Sequence, residues 1–285
     1  MDLEMMLFTD KDIFENAYSF VDKEILAKVI EKHRPVFIAP LITNKSFEEI
    51  IKNFPDYKVV FFDDVVVLYI DSKQFPEKAT KNQLHGINPY KLSGIDITTL
   101  SDSDEVTMRE SLLNIHANYP QGFLVNQTLV KLYIHQKNFD RAYMHADSIL
   151  ENFPEQPTGF LLKGDIMAKQ KLYEKALDYY KKALVFSDDL VNSETYRRMS
   201  LCYINNGQPQ KAYKFLKKGM NIFSPNTTAT DYYNLAQLAL ATGDKKNGVM
   251  LLQFAQLKTP ETNKEMSGRI NDKLLGLWFE QQGRK

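Results

Sequence analysis

From residue 123 onward, apolar positions fall at helical spacing in paired blocks, each pair broken by a short polar stretch. The breaks resemble one another. KNFDRA ends at Ala142, KLYEKA at Ala176, QPQKA at Ala212 and DKKNG at Gly248. These closing small residues stand 34, 36 and 36 positions apart. A period of this size predicts a stack of helix pairs: helix A, a tight turn, helix B. Ala142, Ala176, Ala212 and Gly248 then sit where helix B crosses helix A, because close-packed axes leave no room there for a long side chain. The two-residue expansions after the first interval predict longer connections near residues 187–191 and 224–228.

The first hundred residues follow another rhythm. A short apolar run at 3–8 reads as a strand, and Asp10 and Asp12 open a helical stretch that breaks near Asp22 and runs to His33. Ile25, Leu26, Val29 and Ile30 form its apolar face. A run fenced by Pro35 and Pro40 reads as a buried strand. Ser46 is placed to cap a short helix with Glu48 and Glu49 in its first turn and Ile50, Ile51 and Phe54 as its apolar side. Residues 57–62 and 65–70, rich in Val, Phe and Tyr, predict a hairpin turning at Asp63-Asp64. Residues 72–100 carry Pro76, Gly86, Pro89 and Gly94 with weak periodicity, which predicts an ordered connector lying against the repeats. Asp102 or Ser103 then caps a helix to Ala117 that serves as the B helix of a half repeat. At the far end, residues 261–282 form an amphipathic terminal cap with Ile270, Leu274, Leu277 and Trp278 as its stripe.

The expected fold is therefore mainly α: a right-handed α–α superhelix at 102–283, preceded by a small α/β domain at 1–72 of order β-α-β-α-β-β and a connector at 73–101. Phe160, Gly164, Tyr173, Ala176, Tyr180 and Ala183 follow an alternation of aromatic and small residues that resembles the tetratricopeptide family. Leu129, Tyr133, Phe139, Ala142 and Pro154 carry the first copy. Tyr196, Ser200, Tyr203 and Ala212, with Pro225 one place late, carry the third, and Tyr232, Leu235, Ala236, Ala239, Gly248, Ala255 and Pro260 the fourth. The likeness spans residues 123–260, or about 103–282 with the half repeat and cap. Val130 departs from it in the first copy and Lys163 in the second. The family implies a scaffold that binds a peptide or protein along its A helices. By position the groove candidates are Gln127, Lys131, His135, Asp165, Lys169, Arg197, Asn205, Tyr233 and Gln237. Gln127, Leu162 and Glu194 stand where a carboxylate-clamping member has Lys, Asn and Lys, so that ligand is not expected.

A second likeness lies upstream. FIAP at 37–40, YKVVFFDDVVVLYI at 57–70 and INPY at 87–90 resemble the soluble tail of multi-spanning membrane glycosyltransferases. It implies an extramembrane domain that aids acceptor or partner recruitment, on the extracytoplasmic face, with Met1 inside a longer protein. Without it, the expectation is a cytoplasmic scaffold.

Charge adds little. Lys plus Arg and Asp plus Glu are 36 each; residues 1–100 carry a net −4 and the rest +4. Neither part supports nucleic-acid or anionic-membrane binding. The longest apolar run, 65–70, is too short to span a bilayer. No glycine-rich phosphate loop or G-x-S-x-G is present. His33, His85, His116, His135 and His145 lack the spacing of a metal set, so no metal, cofactor or catalytic residue is expected. Asp63-Asp64 reads as a turn, Cys202 as a small core residue, and Tyr173, Tyr179, Tyr180, Tyr232 and Tyr233 mostly as helix-packing knobs. The chain reads as a non-catalytic interaction module.

Overall fold

A computed structural model describes residues 15–220 and 227–282. The strand expected at 3–8, the helix start at Asp10 and Asp12, and Pro225 lie outside these residues. The chain divides into two compact units, Met1–Asn152 and Phe153–Lys285.

In the first unit, Asp22 breaks the early helix and caps the next. Its carboxylate accepts from the N–H groups of Glu24 and Ile25, starting α1 (Lys23–His33). A three-stranded antiparallel sheet follows, built from β1 (Phe37–Ile38), β2 (Tyr57–Phe62) and β3 (Val67–Asp71) in the order β1-β3-β2. Phe47 from α2 (Phe47–Ile51), with Phe62, Val67 and Tyr69, fills its core at 4% exposure or less. Ser46 does not cap α2: its backbone is already helical, and its hydroxyl donates to Asn44 Oδ1 instead. The hairpin connection is four residues, Asp63 to Val66, not two. Asp63 accepts from the N–H groups of Val65 and Val66, both at 2.7 Å, and this local turn delays re-entry into the sheet.

The connector holds α3 (Pro76–Asn82) and two 3₁₀ turns, Pro89–Gly94 and Ile97–Thr99. It is stitched down at several points. Ser111 exchanges hydrogen bonds with the backbone of His85, Lys91 pairs with Glu48 at 2.9 Å, and Tyr90, Leu92 and Ile97 are buried. The helical part begins with α4 (Asp102–Asn118), capped by Ser101 rather than Asp102 or Ser103; the Ser101 hydroxyl accepts from Asp104 N–H. Then come α5 (Phe123–His135) and α6 (Phe139–Asn152), packed as one A–B pair.

The second unit contains three further pairs: α7 (Pro157–Lys169) with α8 (Tyr173–Val185), α9 (Asp189–Asn205) with α10 (Pro209–Gly219), and α11 (Ala229–Ala241) with α12 (Lys245–Lys258). A terminal helix, α13 (Lys264–Gln282), packs on α12. The small residues are at the crossings. Ala142, Ala176 and Ala212 have no exposure and Gly248 is buried. A Cβ on Gly248 would lie 2.5 Å from the Leu240 side chain, and one on Gly164 would lie 2.3 Å from the Tyr180 ring. In the third pair Ser200 takes the place of the small residue and donates its hydroxyl to Ala212 C=O at 2.9 Å.

One repeated device ends every A helix. Lys137, Lys171, Gly207 and Gly243 have φ of 57°, 62°, 66° and 87°. Each lies five residues before the small residue of its repeat. The next N–H in each case bonds back to a carbonyl on the A helix: Asn138 to Tyr133, Leu172 to Met167, Gln208 to Tyr203 and Asp244 to Ala239. This closure satisfies the last orphan carbonyls and reverses the chain. Left-handed backbone suits glycine; the two lysines adopt it at a cost.

Two further expectations need correction. The first two-residue expansion is not in a loop near 187–191, since α8 ends at Val185 and α9 starts at Asp189. It lengthens the A helix instead: α9 has 17 residues, whereas α7 and α11 have 13. The terminal stripe is only partly covered. Ile270 is fully buried and Leu274 and Leu277 are half-buried, but Trp278 is 52% exposed.

Candidate functional site

The A helices present one register of positions per repeat. Lys131, Asp165, Leu201 and Gln237 are equivalent by the 34- and 36-residue spacing. So are Gln127, Leu161, Arg197 and Tyr233, and one turn further His135, Lys169 and Asn205. What occupies these positions differs sharply between the two units.

On α5 the register is in use within the chain. Both 3₁₀ turns of the connector pack on this helix, and Lys131 Nζ donates to Ser93 C=O at 3.2 Å. His135 Nδ1 lies 2.8 Å from Glu105 Oε2, and Gln136 donates to Glu105 Oε1 at 2.6 Å. Glu105 itself is only 6% exposed, so these two neighbours compensate a buried carboxylate. Lys131 and His135 are thus holding α5 to the connector and to α4. Gln127 is half-buried on the same helix. The start of α5 is also held from outside. Asp64 accepts from Phe123 N–H at 2.8 Å and Leu124 N–H at 2.7 Å, an N-cap supplied from about sixty residues away. The Asp63-Asp64 pair therefore divides its work between a turn and a cap.

In the second unit Asp165 joins successive A helices. It accepts from Tyr180 OH at 2.7 Å and from Arg198 Nη1. Arg198 also reaches Glu194 at 3.1 Å. Burial, with the Asp165 charge alongside, pushes the Tyr180 hydroxyl well above its ordinary pKa. Arg197 links α9 to α11 through Asp231, at a long 3.4 Å. Its Nε is buried and has no hydrogen-bond partner among the described residues. Lys169 and Asn205 are exposed, and Tyr233 and Gln237 half-buried. Two residues that the sequence reading passed over complete this face: Leu201, 58% exposed, and Ile204, 43% exposed. Leu201 occupies the position that is Lys, Asp or Gln in the other copies, and that departure was readable from the register.

The remaining reactive groups are quiet. Cys202 is 2% exposed, and burial pushes its thiol up to about 11, against nucleophilic use. Among the described residues, no group of three or more His, Cys, Asp or Glu side chains is placed to hold a metal ion. No described helix is long and apolar enough to cross a membrane.

No protein-family model matches the chain, and no curated protein matches it significantly in sequence. Solved structures do match. Yeast Tom70 is 16% identical over 63% of this chain and 38% of its own, with a TM-score of 0.52. The helical repeats have the tetratricopeptide fold. The thermophilic TPR protein TTC0263 of Thermus thermophilus (16% identity, 61% of this chain and 92% of that one) has a TM-score of 0.47. PilF of Pseudomonas aeruginosa (12% identity, 64% and 91%) has a TM-score of 0.48. At these identities the likeness speaks for the fold alone. No comparison supports the resemblance of residues 37–70 to glycosyltransferase tails.

Proposed function

We propose that the protein is an interaction scaffold, and that the exposed A-helix face of α7, α9 and α11 binds an extended segment of a partner protein. One observation carries this reading. The equivalent face of α5 already packs against another stretch of chain, the connector's two 3₁₀ turns, and Lys131 fixes that stretch through a backbone carbonyl. The second unit repeats the scaffold, and at α9 the register turns apolar at Leu201 and Ile204. Large exposed apolar side chains on a rigid helix suit an anchor from a partner, and neighbouring polar groups fix its register. Arg197, partly exposed and paired with Asp231, adds a charged group at the edge of this face.

The test is an array of fixed twelve-residue peptides probed with the wild-type chain and with Leu201→Asp plus Ile204→Asp. The reading expects a set of peptides bound by the wild type and lost in the variant, with helical content unchanged by circular dichroism. Peptides bound equally by both proteins, or no bound peptide at all, would contradict it.

A further inference from the structure

The balanced total charge conceals one uneven stretch. Residues 195–230 hold six Lys and Arg and no Asp or Glu. Two of the six are engaged inside the array: Arg197 pairs with Asp231, and Arg198 with Asp165 and Glu194. The other four, Lys211, Lys214, Lys217 and Lys218, stand on α10, and all are exposed. The B helices differ in this respect. α6 carries Asp140, Asp147 and Glu151 against Arg141, and α8 carries Glu174 and Asp178 among three lysines, with Lys181 paired to Asp178 at 2.9 Å. α10 has no acid at all, and α12 follows it with Lys245, Lys246 and Lys258 and none either. No α10 lysine forms an ion pair among the described residues.

What these ammoniums meet is aromatic. Lys218 Nζ lies 4.6 Å from the centre of the Tyr196 ring, Lys211 5.6 Å from that of Tyr203, and Lys217 6.0 Å from that of Tyr213. A ring face attracts a cation without neutralising it. Three of the four charges are thus held in place and still lack an anion, which lowers the ordering cost of binding one. Asp244, at the start of α12, is already engaged: it accepts from Tyr213 OH at 3.1 Å and from Asn247 Nδ2 at 2.7 Å. Lys211, Lys214 and Lys218 follow one side of α10, away from the buried Ala212, Leu216 and Gly219.

We propose that α10 docks an acidic run of a partner protein, with carboxylates seated along Lys211, Lys214 and Lys218 and Lys217 at the edge. Charge complementarity names the partner. Ammoniums are point charges with rotatable donors and suit carboxylates on flexible side chains. A phosphate backbone is gripped best by arginine forks, and both arginines of this stretch are committed within the array. The surface is separate from the A-helix face. Leu201→Asp plus Ile204→Asp leaves these lysines in place, so a peptide held here is told from one held there by which variant loses it. Peptides without an acidic run are indifferent to α10.

The test uses the full chain and labelled octaglutamate, with octaglutamine, a single-stranded oligothymidylate and phosphatidylserine–phosphatidylcholine vesicles as further probes. Octaglutamate should bind saturably and weaken as salt rises, and octaglutamine should not bind. Lys214→Gln plus Lys218→Gln, both at exposed positions, should weaken octaglutamate about tenfold with helical content unchanged. Lys23→Gln plus Lys28→Gln on α1 removes the same net charge and should leave binding as it was. Absence of octaglutamate binding, or equal loss in the two variants, overturns the site. Tighter binding of the oligothymidylate or the vesicles, lost in the α10 variant, overturns the protein partner.

Discussion

The first A helix and those that follow it share one fold and treat the same face in opposite ways. On α5 the face is occupied by the chain's own connector, the helix start is capped by Asp64, and His135 and Gln136 compensate the buried Glu105. On α7, α9 and α11 the helices are joined to one another, by Asp165 to Arg198 and by Arg197 to Asp231, and Leu201 and Ile204 are left in the open. A helix-pair repeat is thus a scaffold whose A-helix surface can be closed by local sequence or left for a partner. The difference lies in a few side chains per repeat and not in the backbone.

This contrast can be broken from either side. The largest effect should come from Arg198→Ala. It strands the part-buried Asp165 carboxylate beside Tyr180, and unfolding of the second unit should become easier by about 3 kcal/mol in a denaturant titration. Signals from the first unit, such as exchange protection of the Leu129 and Tyr133 amides, should barely move. If both units lose stability together, the links between A helices are not local to the second.

His145 gives the next largest effect, confined to the first unit. Its pKa falls from 6.5 to about 4 on folding, so between these values the unfolded chain binds more protons than the folded one. Stability is therefore complete above pH 6.5 and is lost as pH falls toward 4, by roughly 2–3 kcal/mol. His116, depressed in the same direction by burial, adds to the trend. In His145→Gln the loss across this window should flatten.

Asp64→Ala should follow, removing both acceptors from the start of α5 at a cost of about 1–2 kcal/mol, with the hairpin turn at Asp63 intact. Proteolysis of the chain around Phe123 would read the freed helix start. The smallest change is a gain. Lys171→Gly relieves the left-handed residue ending α7 and should stabilise the second unit by about 0.5–1 kcal/mol in thermal melts, net of the added unfolded-state freedom. The same exchange at Lys137 should do this for the first unit.

Much of the helical part could be read from the chain because its constraints are local and recur. Small residues at Ala142, Ala176, Ala212 and Gly248 mark crossings that tolerate nothing larger, and the breaks before them hold the left-handed closure. Lys137 and Lys171 hid that closure, since lysine carries no turn signature. The site was less legible. Arg197 was singled out by position, but its neighbour Arg198 makes the ion pair with Asp165, and helical register alone cannot tell which of two adjacent arginines turns inward. Asp64 falls in the predicted turn, yet its cap on α5 depends on contact across about sixty residues. The connector's cover over Lys131 is likewise a tertiary fact with no periodic trace. Leu201 differs: its signal is local, an apolar residue in a register otherwise held by Lys131, Asp165 and Gln237.

The central claim is that the open A-helix face receives a polypeptide segment as the covered one does. Amide shift mapping with the strongest peptide from the array tests it most directly. The account predicts that shifts cluster at Arg197, Leu201, Ile204 and Asn205, with weaker ones at Lys169 and Gln237. Shifts gathered instead on the B helices α8, α10 and α12, or on the sheet of the first unit, would contradict it.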